Sequence, residues 1–395
     1  MHAAARRTLF WNANWFGVSR RVAHIAGFVA LLVALMSGVA LVPGCGDAPA
    51  RGGPLETSVV IGETGRFPGQ FAYPRAIDAH GSSLVIVDKS ARVQRIDPGT
   101  GVFLGGWAMP ESDLGKPTGI TVGPHPFDAG VEAVYVADTH YHRVMVYPLP
   151  LDALEKTSRR VAETPPEPIL TLGGYGTEDG SFVYVTDAAP LPSADPARPV
   201  SRIYVSEYGG NDRVSVFERV GDGFEFAFAF GTPGHGDGTP GSREGVMFHR
   251  PQSLALDGDR GELLVTDASN HRVGRFTLDG ELIGWIGGVD AVGVEPLELR
   301  YPYGIAVLRD GTALVSEFGG NCVRRIDIET GTSVGVYGEA GRLEGQLASP
   351  WGIAVVDRTV YVLDSGNDRV QGFRSPAPAA DLAEAGRNGE GWAGP

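Results

Sequence analysis

One phrase returns six times along this chain, and a repeat of that length constrains the fold more than any single residue does. It consists of an entry proline near a turn, an apolar run, a gap, a second apolar run ending in Asp or Glu, a brief turn, and Arg-Val. The first copy is Tyr73-Pro74-Arg75-Ala76-Ile77-Asp78 with Asp88 and Arg92-Val93, and the second is Lys116-Pro117-Thr118-Gly119-Ile120 with Asp138 and Arg143-Val144. The third lacks the proline and reads SFVYVTD from Ser181, with Glu207 and Arg213-Val214. The fourth is Arg250-Pro251-Gln252-Ser253-Leu254 with Asp267 and Arg272-Val273. Tyr301-Pro302-Tyr303-Gly304-Ile305 with Glu317 and Cys322-Val323 forms the fifth, where Cys322 replaces the arginine. Ser349-Pro350-Trp351-Gly352-Ile353 with Asp364 and Arg369-Val370 is the sixth.

The closing acids lie 50, 69, 60, 50 and 47 residues apart, the length of a propeller blade of four short strands. Each phrase supplies strands A, B and C. A fourth run follows the first five: VFLGGW from Val102, ILTL from Ile169, FEFAFAF from Phe224, LIGWI from Leu282 and SVGVY from Ser333. The sixth copy has none, but TSVVI at 57–61 precedes the first. The chain is therefore expected to be all-β, a six-bladed propeller over 57–374 whose N-terminal strand completes the last blade and leaves no open sheet edge. Gly at 57 of 395 residues and Pro at 28 fit a chain dense in tight turns.

The wording of the phrases resembles the NHL repeat family, whose blades carry a Pro-x-Gly-[IV]-[AT]-V entry, a [VL]-x-D ending and an N-x-R-[VI] turn. The resemblance covers about residues 57 to 374. Its departures are the missing third entry and Cys322.

The acid ending each B strand and the arginine opening strand C sit where a carboxylate and a guanidinium can pair across the turn. Asn211, Asn270, Asn321 and Asn367 lie in those turns, where asparagine tolerates left-handed geometry. A ligand site is expected on the face shared by the strand A entries and the B–C turns. The entry positions place Arg75, Thr118, Gln252, Tyr303 and Trp351 around the channel, with Tyr208 and Phe318 beside them and Lys89, His140 and Asn270 in the same turns. Aromatics mixed with a cation, amide and hydroxyl make the composition of a binding surface; Tyr303 and Trp351 as a mere channel plug is the competing reading.

The amidating lyases of the NHL group place a zinc-binding His directly after the entry proline, where this chain has Arg75, Thr118, Gln252, Tyr303 and Trp351. Lactonase-like propellers hold calcium with acids and amides in the channel, whereas the A strands here, ITV, LAL, IAV and IAV, read as aliphatic. His140-Tyr141-His142 beside Asp138 is the one zinc-like spacing, and His142 falls in the slot held by Asp212, His271 and Asp368 elsewhere. His235 reads as a solvated loop residue. The favoured function is a protein-, peptide- or glycan-binding module with no catalytic residues and no cofactor. The alternative is a lyase or lactone hydrolase using calcium or zinc, with Asp138, His140, Glu207 and Glu317 as first suspects.

Residues 25 to 42 carry no charge and follow Arg20 and Arg21, the pattern of an export signal. Leu41-Val42-Pro43-Gly44-Cys45 resembles the bacterial lipobox, which implies a signal peptide over 1–44, lipidation of Cys45, a tether over 45–56, and a monomer at the cell envelope facing out of the cytoplasm. Formal net charge is −14, and removing residues 1–44 with their four arginines leaves 29 basic against 47 acidic residues. That balance opposes nucleic acid, whose binding needs a positive field. The insertions Pro148 to Pro168, with a short helix possible in LDALEKTSRRVAE, and Ala188 to Ser201 are expected on the opposite face, and the Pro-, Ala- and Gly-rich tail over 375–395 is expected to be disordered.

Overall fold

The computed structural model describes residues 55–114, 116–149, 161–162, 165–288 and 299–374. The segment read as a signal over 1–44, Cys45, nearly all of the stretch read as a tether and the tail lie outside them. Six antiparallel four-stranded sheets form the blades. Strand A comprises Pro74–His80, Gly119–Pro124, Tyr184–Pro192, Pro251–Asp257, Pro302–Val307 and Ile353–Val356 in turn. Strand D of the sixth blade is Thr57–Ile61, which pairs antiparallel with Arg369–Arg374, so the ring closes as the sequence predicts. Among the described residues there is no α-helix, only three single-turn 3-10 helices, and no helix long and apolar enough to cross a membrane.

The B strands are continuous apolar runs because both their faces are covered. Ser83–Asp88, Glu262–Asp267 and Thr312–Glu317 are buried along their whole length, as strands buried on two faces require. Outer strands such as Ser333–Tyr337 keep exposed residues.

The acid–arginine pairs hold the channel-face turns. Asp138 and Arg143, Glu207 and Arg213, Asp267 and Arg272, and Asp364 and Arg369 are cross-strand partners with ion-pair distances of 3.1, 2.8, 2.9 and 2.7 Å. Asp88 pairs with Arg92 in blade one. In blade five, Glu317 faces Cys322 in register, and Arg324, two residues further and so on the same side of the strand, takes the ion pair. The carboxylates also accept backbone N–H groups from the preceding loop: His249 to Asp267 at 2.7 Å, Val183 to Glu207 at 2.7 Å and Ala348 to Asp364 at 2.7 Å. The arginines reach the same loops from the other side, as Arg272 does at Gly236 O and Met247 O.

Those loops fold back on themselves around an apolar anchor. Phe71, Phe182, Phe248 and Leu347 are fully buried there. Facing them, Gly62, Gly173, Gly231 and Gly338 adopt φ between +82° and +95°. A Cβ at Gly231 would lie 2.3 Å from the Phe248 ring, so both backbone and space demand glycine.

A second set of bonds joins blade to blade. Hydroxyls at the ends of the B strands donate to the next blade's entry: Thr266 to Tyr303 O at 2.8 Å, Ser316 to Trp351 O, and Ser365 to Pro74 O at 2.6 Å. Thr118, paired with Thr139 at 2.7 Å, donates to Thr186 O, and Thr186 donates to Pro251 O at 2.9 Å.

Two expectations need correction. Ala188 to Ser201 is not a loop insertion, because it lengthens strands A and B of blade three to nine residues each and leaves only 193–199 to turn. Of the turn asparagines only Asn321 is left-handed, at φ 53°. Asn211, Asn270 and Asn367 instead donate to the acid of their own turn at 2.9, 2.7 and 2.9 Å, and the left-handed slot in blades four and six passes to His271 and Asp368. The helix suggested within Pro148 to Pro168 falls mostly outside the described residues. Of that stretch, Ala162 bridges to Trp107 on the edge of blade one.

Asp267 is fully buried and Arg272 is its only cationic partner among the described residues. Arg272→Met keeps the stem and removes the charge, and is expected to cost about 3–5 kcal/mol, the penalty for stranding a buried ion. Urea unfolding measures it; a loss under about 1 kcal/mol would mean that the pair does not hold this turn.

Candidate functional site

The A strands line a central channel of about 300 Å³, and its mouth on the turn face gathers the predicted residues. Tyr303 and Trp351 are only 4% and 8% exposed and pack on Ala268. Phe318 stacks on Tyr303 with ring centroids 4.6 Å apart, while Trp351 meets Tyr303 edge-on at 4.7 Å and Tyr73 edge-on at 6.0 Å. These rings are thus a buried plug, with their neighbours forming its rim. Thr118 is spent on the blade-to-blade bonds already described, and Gln252 is only 4% exposed.

Over the plug stand two arginines. The Arg75 guanidinium carbon is 5.1 Å from the Trp351 ring centre, and that of Arg250 is 5.0 Å from Tyr208 and 5.8 Å from Tyr303, contacts in cation–π range. The Lys89 ammonium lies 5.9 Å from Tyr73. Arg75 Nη1 donates to Lys116 O at 3.0 Å. Burial holds the Arg75 guanidinium below its ordinary value, and Arg250 pushes the same way. Burial likewise lowers His140, with Arg75, Lys116 and His142 adding to it. The mouth is therefore a locally positive region on an acidic protein.

The sequence reading missed Arg250, although it is quoted in the fourth phrase. It precedes the entry proline, as do Tyr73, Tyr301 and Ser349, and all four have left-handed backbone with φ of 64°, 53°, 52° and 48°. Such geometry is strained for bulky residues. The preceding blade holds it in place, because a residue of its B–C turn accepts the strained N–H: Asp212 from Arg250 at 3.0 Å, Asp368 from Tyr73 at 2.6 Å, His271 from Tyr301 at 3.2 Å and Asn321 from Ser349 at 2.8 Å; of these four, Asp368, His271 and Asn321 are themselves left-handed.

Below the mouth the channel is not purely aliphatic, contrary to the sequence expectation. Asp78 and Asp187 line it. Asp78 accepts the N–H of Val122 and of Ala79, each at 2.7 Å, and Asp187 accepts those of Leu254 at 3.0 Å and Ala188 at 2.9 Å. Both were visible in the phrases, but strand alternation alone did not show which face they took.

The enzyme suspects are dispersed. Asp138, Glu207 and Glu317 are in the turn ion pairs. His142 bonds through Nδ1 to Val183 O, while the His140 ring lies 5.6 Å from that of Tyr184. His235 is exposed yet bonded through Nδ1 to Asn270 Oδ1 at 2.6 Å. Among the described residues no three His, Cys, Asp or Glu side chains group as metal ligands.

A family model described as NHL repeat matches residues 248–276 and 347–373, strands A to C of blades four and six. Blades four and six carry NHL repeats. A structural genomics protein of unknown function from Bacteroides thetaiotaomicron is similar, with 18% identity, TM-score 0.55 and coverage of 82% of this chain and 74% of that one. A streptogramin B lyase has 16% identity, TM-score 0.42 and coverage of 79% and 86%. The WD40 β-propeller domain of Doa1 has 14% identity, TM-score 0.48 and coverage of 82% and 98%. At these identities the likeness is one of fold. No curated protein matches the chain.

Burial pushes Asp78 and Asp187 up to about 7. A carboxyl raised in the folded state above its unfolded value of about 3.9 binds more protons folded than unfolded, so its contribution is most favourable below about pH 4 and is lost as pH rises toward 7. An Asp78→Asn/Asp187→Asn double variant should therefore show a flatter stability curve between pH 4 and 7, by up to about 1.4 kcal/mol per pH unit for each carboxyl. Denaturant unfolding at four pH values compares the slopes, and parallel curves would mean that both acids ionise as freely as in water.

Proposed function

We propose that this protein is an exported, lipid-anchored binding module that holds a protein, peptide or glycan ligand at the mouth of its propeller channel. The observation that carries this reading is a contrast between two sets of polar residues. The recurring acids, arginines, asparagines and hydroxyls are consumed in holding turns and joining blades. Arg75, Arg250, Lys89, Tyr208 and Phe318 each occur in one blade only at their position and cluster at one end of the channel. Scaffold positions repeat because every blade needs them, while a ligand site on a repeat scaffold is built from those that do not. An NHL propeller fits a binding or scaffold role.

The export part of the proposal rests on the apolar run over 25–42 and the lipobox-like Val42-Pro43-Gly44-Cys45. Cys45→Ser is expected to move the protein from the membrane fraction to the soluble fraction. Unchanged fractionation and no uptake of labelled fatty acid by the unaltered chain would remove the anchor from the proposal.

For the site, cross-linking in intact cells followed by capture identifies bound proteins. Tyr208→Ala/Phe318→Ala should lower recovery of a true partner more than 10-fold. Val334→Ser, on the exposed outer strand of blade five, should leave it unchanged. Equal recovery from all three proteins would place the contact elsewhere and overturn the channel-mouth reading.

A further inference from the structure

Buried polar groups are nearly always hydrogen-bonded, and the exceptions call for an explanation. Among the described residues eight buried side-chain polar atoms have no partner: Arg75 Nε, His80 Nδ1, Trp107 Nε1, Asp138 Oδ1, His140 Nδ1, Ser215 Oγ, Arg250 Nε and Gln252 Nε2. Four of them, on Arg75, His140, Arg250 and Gln252, belong to the channel mouth, and all four are nitrogens. The charge environment ties them together, since Arg250 acts on Arg75 and Arg75 acts on His140. Gln252, in the residue pair after Arg250, is itself 4% exposed.

The two arginines are also unusual in this protein, where even the half-buried Arg219, which has no ion pair among the described residues, donates to Gly221 O at 2.8 Å and Pro126 O at 2.5 Å. The buried or half-buried arginines Arg92, Arg143, Arg202, Arg213, Arg272, Arg275, Arg324, Arg325 and Arg369 all form ion pairs. Arg75 and Arg250 form none among the described residues, and their one side-chain hydrogen bond is that from Arg75 to Lys116 O. With acids outnumbering bases by 47 to 33, a carboxylate was the easiest partner for the sequence to supply. Leaving two neighbouring guanidiniums unpaired has an energetic cost, because like charges repel and their N–H groups lose water without replacement.

Resting on the reading of this mouth as a ligand site, we propose that its ligand is an acidic peptide, whose carboxylate enters between Arg75 and Arg250 and accepts from the Gln252 amide. Guanidinium forks match a carboxylate with two parallel N–H bonds. The ring faces that a sugar would stack on are taken: Tyr208 and Trp351 lie under guanidinium groups, and Tyr303 is covered by Phe318 and Arg250. What the mouth offers is N–H donors and positive charge, which select an anion. The net charge of −14 repels anions elsewhere on the surface, so binding of one reports a specific locus.

Fluorescence anisotropy with labelled hexaglutamate and hexaglutamine peptides, at low and physiological salt, tests the proposal on the purified full chain. Hexaglutamate should bind and hexaglutamine should bind at least 10-fold more weakly. Arg75→Gln/Arg250→Gln should lose at least 10-fold in hexaglutamate affinity, and Arg75→Lys/Arg250→Lys, which keeps the charge without the fork, should recover only part of it. Arg358→Gln, exposed in the A–B turn of blade six at the far end of the channel, should bind as the unaltered chain does. Melting curves confirm that each variant is folded, and an unfolded glutamine variant passes the decision to the lysine pair. Equal affinity for the two peptides, no binding of hexaglutamate, or full affinity in the folded double variant would overturn the proposal. If a partner captured through Tyr208 and Phe318 survives in Arg75→Gln/Arg250→Gln, the channel-mouth reading stands and the carboxylate inference alone fails.

Discussion

The carboxylate that ends each B strand is the group on which the rest of the propeller depends. It is buried, so it must be paired, and the partner it takes fixes three things at once. The arginine across the turn sets the B–C register, as Asp267 and Arg272 do. The backbone N–H from His249 brings the preceding loop down onto the same carboxylate. The outer nitrogens of Arg272 then collect that loop's carbonyls at Gly236 and Met247. Blade five shows that the constraint lies in the charge pair and not in the position, since Arg324 supplies the guanidinium when Cys322 occupies the register site.

Because these pairs turn inward, the turns of blades four, five and six keep a left-handed residue whose side chain is free to act on its neighbour. His271, Asn321 and Asp368 use that freedom in one way, accepting the strained N–H that precedes the next entry, and Asp212 of blade three does the same without left-handed backbone. The strain of a bulky residue at positive φ is thus sustained by a bond from the adjacent blade. It also has a geometric result. Residues before and after the entry proline both reach the channel mouth, and so Arg250 and Gln252, two positions apart, contribute to one site.

How far the sequence could be read follows from this division. The blade count, the four-stranded plan and the closing strand were legible because each is a repeated pattern with a period. The acid–arginine pairing was legible for the same reason. The function of the asparagines was not, since left-handed tolerance and hydrogen bonding to the acid both predict Asn in a turn, and only the position of His271 and Asp368 separates them. The blade-three lengthening was misread as an insertion because a proline-rich stretch gave no strand alternation, yet Ala188 to Pro192 continue the ladder with Val200 to Val205. At the site, the entry positions were legible, but the burial of Tyr303 and Trp351 was not. Facing the channel places a residue at the mouth without saying how many rings crowd into it.

The channel also explains why the arginines at its mouth stay unpaired in an acidic protein. Asp78, three residues from Arg75, is the nearest carboxylate in the sequence, but its two oxygens are engaged by the N–H groups of Val122 and Ala79. Asp187 is likewise committed to Leu254 and Ala188. Both carboxyls are bound into the contacts between adjacent A strands, and burial favours their neutral form, which reduces what they offer a guanidinium. Asp212 accepts the backbone N–H of Arg250. These three acids are therefore spent on holding the ring together. A carboxylate that satisfies Arg75 and Arg250 has to come from another molecule, and the bonds that build the scaffold are the same ones that keep the mouth open to it.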